Sequence, residues 1–528
     1  MYSSAIVGGG TMIIYLSGCA SLWLLIRFFN KVWWTPLRIQ SALSSQGIKG
    51  PSYRFFHGNS KEIISLRNEA WKSPMELCHQ TFPRVYPHVY LWKKLYGKNF
   101  LMWKGSMPQL VVTESELIKE ILNSKDETYL KPDQPYMKKL FGDGLVTTRG
   151  KKWFKLRKLA DHAFHGESLK RMVPEMVAST EVMIARWKQQ TGNEIEVFRE
   201  FKLLTSEVIS RTAFGSSYLE GQRIFDMLTK MVLIFSRNIY TVKIPGISQI
   251  LKSKDDKESD KLEQGIRDSF VEMVKKREEA AMMGQTDEDD FFGQLLKVYR
   301  DPDKRNRLTM DDLIDECKNF YIAGQETTTS ALAWTIFLLA VHTDWQEKVR
   351  REVLDLFGQQ NPMAEGISKL KTMSMVIYES LRLYPPIVGV GRRVEKGVRL
   401  GNLTIPGTME LLVPPSAVHH DPEIWGDDVQ LFKPERFAEG VAKACNNNTA
   451  AFIPFSLGPR NCVGMNFAYT ETKIALSMIL QRYSFSLSPS YVHSPVLLLA
   501  MCPKFGIQII LQELEDKSRY LANTFVNS

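Results

Sequence analysis

Cys462 stands in the stretch Phe455-Ser-Leu-Gly458-Pro-Arg460-Asn-Cys462-Val-Gly464, near the C-terminal end of a 528-residue chain. A thiolate is a strong ligand for iron and can hold a haem from its axial side. Burying a thiolate is costly unless hydrogen bonds and positive charge offset the lost hydration. Small residues at 458 and 464 leave room for backbone N–H groups to point at the sulfur, and Arg460 is placed to pair with a haem propionate. The helical pattern resuming near Met465 adds a positive helix end. The plainer alternative is a buried free cysteine beside a glycine turn.

A second set of polar residues interrupts the apolar run that opens at Thr309 and Asp312, a capping pair, and continues through Val341. Midway it carries Ala323, Gly324, Gln325, Glu326, Thr327 and Thr328. A helix this apolar must cross the core. Glycine inside it costs about 1 kcal/mol relative to alanine. An acid and hydroxyls beside that glycine fit two readings: close approach of a flat ligand with a proton route, or a small-residue helix crossing. Glu379 and Arg382, three apart on one helix face, can pair. With Arg436 of "FKPERF" they form a candidate bidentate lock between distant segments. In "RGKKWFKLRK", Lys151, Lys155 and Lys158 share one helical face while Trp153 and Arg157 lie roughly opposite. That is either an ordinary basic amphipathic helix or one that turns Trp153 and Arg157 toward a buried anion and its lysines toward an acidic partner.

These residues need elements to position them. The pattern is mostly helical from about Lys61 to Gln360, punctuated and alternating between about Ile387 and Pro414, helical again after Cys462 to about Leu480, and alternating in "FGIQIIL". The fold class expected is therefore mainly α with minor β. Six cysteines without a CxxC pair suit a reducing compartment. The net charge of +10 favours anionic partners such as a membrane surface or an acidic protein, with no nucleic-acid module visible. No charged side chain falls between Ala5 and Ile26, a length that spans about 30 Å of hydrocarbon as a helix. Arg27, Lys31 and Arg38 follow, with Trp33 and Trp34 at the expected interface. Because the positive charge follows the apolar run, a membrane anchor is favoured over a cleaved signal peptide. The organisation expected is an anchor over 1–30, a Pro/Gly linker over 31–60 and one catalytic body over 61–528.

The Cys462 loop, Trp153-x-x-x-Arg157, Ala323–Thr328, Glu379-x-x-Arg382 and Phe432–Phe437 together resemble, in order and spacing, the cytochrome P-450 superfamily of haem-thiolate monooxygenases. "DPEIWGDDVQLFKPERF" and "TPLRIQSALSSQGIKGPSYRFFHGN" look like a plant microsomal clan whose members oxidise brassinosteroids, gibberellins, cytokinins and other terpenoids, some also herbicides. The resemblance implies haem b lying between the Thr327 helix and the Cys462 loop, with Cys462 the iron ligand and Phe455, Gly458 and Gly464 shaping that loop. It implies that Glu326 and Thr327 deliver the protons that oxygen cleavage consumes. Trp153, Arg157 and Arg460 would hold propionates together with one of Arg392 and Arg393, of which Arg393 is taken here. Glu379, Arg382 and Arg436 would be structural. O2 is the co-substrate, and electrons come from NADPH through a flavoprotein reductase docked on the lysine face. The substrate is a hydrophobic small molecule, steroid-like or terpenoid. The protein would sit as a single-pass protein in the endoplasmic reticulum membrane with its catalytic body facing the cytosol. Two other readings are a reductase-independent haem-thiolate isomerase or dehydratase, and a non-catalytic haem-binding membrane protein. His162, where many relatives have proline, is read as a packed or exposed histidine, or one reaching the haem.

Overall fold

A computed structural model describes residues 2–514 apart from 126, 191, 244–250, 285–288 and 304, with side chains described from residue 15 onward. Helices dominate. The central one, Met310–Val341, begins with the expected cap: Thr309 Oγ1 accepts the Asp312 N–H at 3.1 Å, and Asp312 accepts the Thr309 N–H at 2.9 Å. Its second half is buried all round, from Leu332 to Leu339. It packs on helices Val197–Phe214, Lys371–Leu383 and Met465–Arg482, and these contacts make the larger core.

A second core lies under the main sheet. Strands Asn99–Lys104, Met107–Val112, Met409–Val413 and Val390–Val394 stand in that spatial order, the middle pair parallel and the outer pairs antiparallel. Helices Thr35–Ser44 and Ser115–Asn123 cover it with Ile39, Leu43, Leu117 and Ile121. The first two strands fall inside the stretch read as helical. Their burial runs unbroken from Phe100 to Trp103 and from Pro108 to Val112, so the two-residue alternation that marks a strand is absent. Gly105, at φ +59°, makes the turn between them. The strands expected near 387–414 and 505–511 are present.

The N-terminal helix Tyr2–Phe29 continues through a π turn, Asn30–Trp34, into Thr35–Ser44. Val32, Pro36, Ile39 and Leu43 are buried, so the segment read as a linker is helical and docked on the body over residues 32–44. Among the described residues no helix is long and apolar enough to cross a membrane. Much of the anchor read from the sequence falls on side chains 2–14, which lie outside the described set.

Glu379 and Arg382 form a bidentate pair at 2.7 and 2.8 Å with no solvent exposure on either side chain. Arg382 also donates to the carbonyls of His419 (2.9 Å), Val429 (2.8 Å) and Leu431 (3.3 Å). Glu379 accepts the N–H of Lys433 at 3.0 Å, and Arg436 approaches it to 3.4 Å while donating to Trp425 and Asp428. The three-residue lock expected from the sequence is assembled. Removing one partner of such a pair costs about 3–5 kcal/mol, because the other charge stays buried.

Six histidines are desolvated: burial lowers His342 and His419, and four others fall to values well into the acid range. Burial holds His79 and His88 down at about 3 and His420 and His493 at about 4; for His79 the neighbouring His342 adds to it, and for His420 the neighbouring Arg382. Between those values and 6.5 the unfolded chain binds protons that the folded chain refuses, so stability falls as pH falls through that window. Each group contributes about 2 kcal/mol of loss at pH 5. Buried Glu316 and Glu471 keep protons that unfolded carboxyls shed, which works the other way above about 4.5 and, for Glu316, up to about 8, but two groups oppose six. Chemical denaturation followed from pH 7 to pH 5 is expected to show a steep loss of stability. His420→Gln, which cannot take up a proton, is expected to flatten that slope.

Candidate active site

Cys462 is held by its own loop. Its N–H donates to the Phe455 carbonyl at 2.9 Å, and the Asn461 N–H donates to Gly458 at 3.1 Å. Gly458 sits at φ +71°, and a Cβ there would come within 2.1 Å of the Leu122 carbonyl oxygen. Its smallness serves contact with the backbone of Leu122 and Asn123, not the sulfur. The Gly464 N–H is the one directed at the sulfur. Burial pushes the Cys462 thiol up, while that N–H and Arg157 pull it down. The residue nevertheless retains accessible surface. A desolvated sulfur with accessible surface lines an internal cavity. Phe455 packs edge-on against Tyr469, with ring centroids 5.0 Å apart.

The central helix presents the matching wall. Ala323 is exposed although Tyr321, Ile322 and Gln325 beside it are buried. Thr327, one turn on, is half-buried and donates its hydroxyl to the Ala323 carbonyl at 2.7 Å. The residues between them, and Thr329 beyond, face helix Val197–Phe214 instead. A Cβ on Gly324 would meet Ile209 at 2.8 Å, Thr329 bonds Thr205 at 2.8 Å, and Glu326 pairs with Lys202 at 3.0 Å. Gly324 is thus the helix crossing, and Ala323 and Thr327, on another face, keep the accessible surface that a flat ligand would need. Lys202 was not singled out from sequence, since nothing near it marks a partner 124 residues away.

A third wall is cationic. Arg460 donates to the Thr148 carbonyl at 2.8 Å and lies 4.0 Å over the Trp153 ring. Burial, then Arg392 and Arg149, lower its pKa to about 10. Arg392 is 2% exposed, is itself lowered to about 10 by burial, and leaves Nη2 without a partner among the described residues. Lys131 is depressed well below its usual range by burial and by Arg392 and Arg460. The sequence reading took Arg393. Successive strand residues point to opposite faces; Arg392 lies near Arg460 and Lys131, and Arg393, like Arg392, keeps a buried guanidinium nitrogen without a partner among the described residues. Arg157 holds the loop: Nε bonds both Asp161 oxygens at 3.0 and 3.1 Å, and the two Nη groups bond the Asn461 carbonyl at 2.6 Å and side-chain oxygen at 2.9 Å. His162 is exposed.

His419 was also not foreseen. Its Nε2 accepts the Ile453 N–H at 3.0 Å. Burial, then His420 and Arg382, keep this ring far below its ordinary pKa, so it stays neutral and able to accept. Arg382 holds its carbonyl, and Ile453 in turn accepts from Ser456 at 3.0 Å inside the cysteine loop.

The walls fit a haem. A thiol awaits a metal, a small-residue helix face leaves room for a flat ring, and Lys131, Arg392 and Arg460 call for a ligand carrying two negative charges. Cys462 would take the iron, Arg392, Arg460 and Lys131 the propionates, and Trp153 would back Arg460.

Known proteins agree in fold and in chain length. The family model for Cytochrome P450 matches residues 79–508. Cytochrome P450 CYP749A22 of Panax ginseng is 57% identical over 93% of this chain and 95% of its own. Cytochrome P450 734A1 of Arabidopsis thaliana is 39% identical over 96% and 97%. The 11-oxo-beta-amyrin 30-oxidase of Glycyrrhiza uralensis is 41% identical over 92% and 94%. The solved structure of retinoic acid bound cyanobacterial CYP120A1 superposes with a TM-score of 0.72 over 83% of this chain and 96% of its own, at 24% identity, a likeness of fold.

The crowding of cations gives a test with opposite signs. Arg392→Met removes a buried charge that has no counterion among the described residues, so the apoprotein is expected to melt higher than wild-type apoprotein. The same change is expected to weaken haem retention about tenfold or more, since a charge-assisted bond is worth about 1.5–3 kcal/mol. Apoprotein melting and haem transfer to a scavenger measure the two effects separately.

Proposed function

The chain belongs to the cytochrome P450 family and is a monooxygenase, and from that premise we propose that it hydroxylates a terpenoid or steroid-like molecule of plant origin. The observation that carries the substrate class is the kinship with the 11-oxo-beta-amyrin oxidase across nearly the whole of both chains. The surroundings suit such a molecule: Leu145, Val146, Leu498 and Leu499 are half-buried apolar residues packed against the main core.

Haem, when bound, supplies the activation of dioxygen. The chain's own residues hold and deliver the protons. Thr327 Oγ1 is the cavity-facing hydroxyl. Its hydrogen now sits on the Ala323 carbonyl, and rotation about χ1 turns it into the cavity. Glu326 faces away from that cavity, onto Lys202 Nζ, whose side chain is 28% exposed. This pair forms the solvent side of the proton route: Glu326 takes up a proton near Lys202, and the carboxyl must swing from that ion pair to pass it to Thr327.

We place the protein in the endoplasmic reticulum membrane through its N-terminal helix, with the body in the cytosol. Its electrons come from NADPH through a flavoprotein reductase. On helix Gly150–Phe164, Lys151 and Lys158 are exposed and flank Phe154, which is 69% exposed, a basic face with an apolar centre that suits an acidic partner. Lys155 contributes less, because its ammonium is bonded to the Asn306 carbonyl.

Thr327→Ala is expected to keep consuming NADPH, to lose product by about 10²-fold, and to release the difference as peroxide. Unchanged product per NADPH contradicts the proton-delivery role. A spin-state titration of the ferric holoenzyme with pentacyclic triterpenoids, sterols, gibberellins and fatty acids tests the substrate class. A saturable shift toward high spin is expected with the first two, and a shift with fatty acids alone overturns the proposal.

A further inference from the structure

The segment 141–148, "FGDGLVTT", lies against the first half of the central helix and is bonded to it through Phe141, Asp143, Leu145 and Val146. Asp315 accepts the Asp143 N–H at 2.8 Å, Glu316 accepts the Leu145 N–H at 2.6 Å, and Asn319 accepts the Val146 N–H at 3.0 Å. Asn319 also donates to the Phe141 carbonyl at 2.6 Å. Both glycines of the segment are shaped by this seat. Gly142 has φ +64°, and a Cβ there would come 1.9 Å from Asp315 Oδ1; a Cβ on Gly144 would come 2.4 Å from Asn319 Nδ2 and 2.8 Å from Glu316 Oε1. Glu316 and Asn319 are 1% and 2% exposed. Neither belongs to the oxygen chemistry.

Helix geometry connects them to the cavity. At 3.6 residues per turn, Ala323 and Thr327 lie within about 20° of the direction of Glu316 on the helix surface, Ala323 about 10 Å further along. The segment bonded to Glu316 and Asn319 therefore rests on the same face that lines the cavity two turns on. At its far end the Thr148 carbonyl holds Arg460, and its middle brings Leu145 and Val146 half-buried against the core. We propose that Glu316 and Asn319 are positioning residues that latch segment 141–148 onto the central helix and so set the cavity wall that selects ligands by size. The reading of the cavity as a haem and substrate site is assumed here; the latch itself is not part of that reading. Glu316 suits the task because burial pushes its carboxyl up to about 8, so near neutrality it accepts the Leu145 N–H largely without carrying a buried charge. Its second oxygen has no partner among the described residues.

The test uses the haem-loaded full chain and three variants, Glu316→Ala, Asn319→Ala and Glu316→Gln. Amide hydrogen exchange reads the latch directly. Spectral titration with 4-phenylimidazole and with imidazole reads the wall, since the larger ligand reaches it and the smaller does not. Losing the one bond that Glu316 makes to the segment, or the two that Asn319 makes, should speed exchange of segment 142–148 about tenfold or more in each alanine variant. The 4-phenylimidazole dissociation constant is expected to change while that of imidazole holds, and Glu316→Gln, which keeps the acceptor, is expected to match wild type in both readouts. Wild-type exchange of the segment in both alanine variants overturns the latch. Faster exchange with an unchanged ratio of the two ligand affinities overturns its role in selection. Failure of imidazole to bind the wild-type protein would refute the haem reading, leaving exchange to decide the latch alone. Asn319→Ala removes no ionisable group and so keeps the comparison free of a change in charge.

Discussion

Glu379 and Arg382, wholly removed from water, form the ion pair on which the thiol's position depends. Two desolvated charges stabilise a fold only when every donor and acceptor is used. Here three carbonyls and one backbone N–H complete the set, and these belong to residues 419–433, far along the chain. The consequence travels in few bonds. Arg382 fixes the His419 carbonyl, the neutral His419 ring fixes the Ile453 N–H, Ile453 fixes Ser456, and Phe455 fixes Cys462. From the other side Arg157 grips Asn461, and Gly458 seats on the Leu122 carbonyl. The sulfur is thus held from two directions by parts of the chain that do no chemistry.

Opposite it, the cavity presents unmet demands. Burial depresses Lys131, Arg392 and Arg460, Arg392 adding to it at the other two and Arg460 at Lys131, and a thiol is desolvated with little charge to compensate it. Such a site is costly as it stands and becomes favourable with a ligand that is anionic at its edge and cationic at its centre. A haem meets both demands at once. On the central helix, Thr327 holds the Ala323 carbonyl while its neighbour Glu326 is paired with Lys202 of the crossing helix.

The residues in contiguous motifs were legible: the Glu379–Arg382 pair and the capped central helix form as spacing and chemistry predict, with Thr327 on that helix and Cys462 in the loop before helix Met465–Arg482. What was not legible depended on partners distant in sequence. Lys202 means nothing until helix Val197–Phe214 crosses the central helix. His419 is one of two adjacent histidines until its ring meets Ile453. The choice between Arg392 and Arg393 is a question of strand register. The hairpin 99–112 was hidden because both its faces are buried, which erases alternation. Gly458 and Gly324 were read as making room for the sulfur and for a ligand or crossing; their neighbours are Leu122 and Ile209.

The claim at the centre is that Cys462, as a thiolate, holds the haem iron of this chain. The carbonyl difference spectrum of the reduced full chain, wild type beside Cys462→Ser, tests it most directly. Wild type is expected to give the red-shifted band of a thiolate-ligated carbonyl complex, and Cys462→Ser is expected to lose that band whatever haem it retains. A thiolate-type band surviving in Cys462→Ser, or none in a wild-type protein that holds its haem, would contradict it.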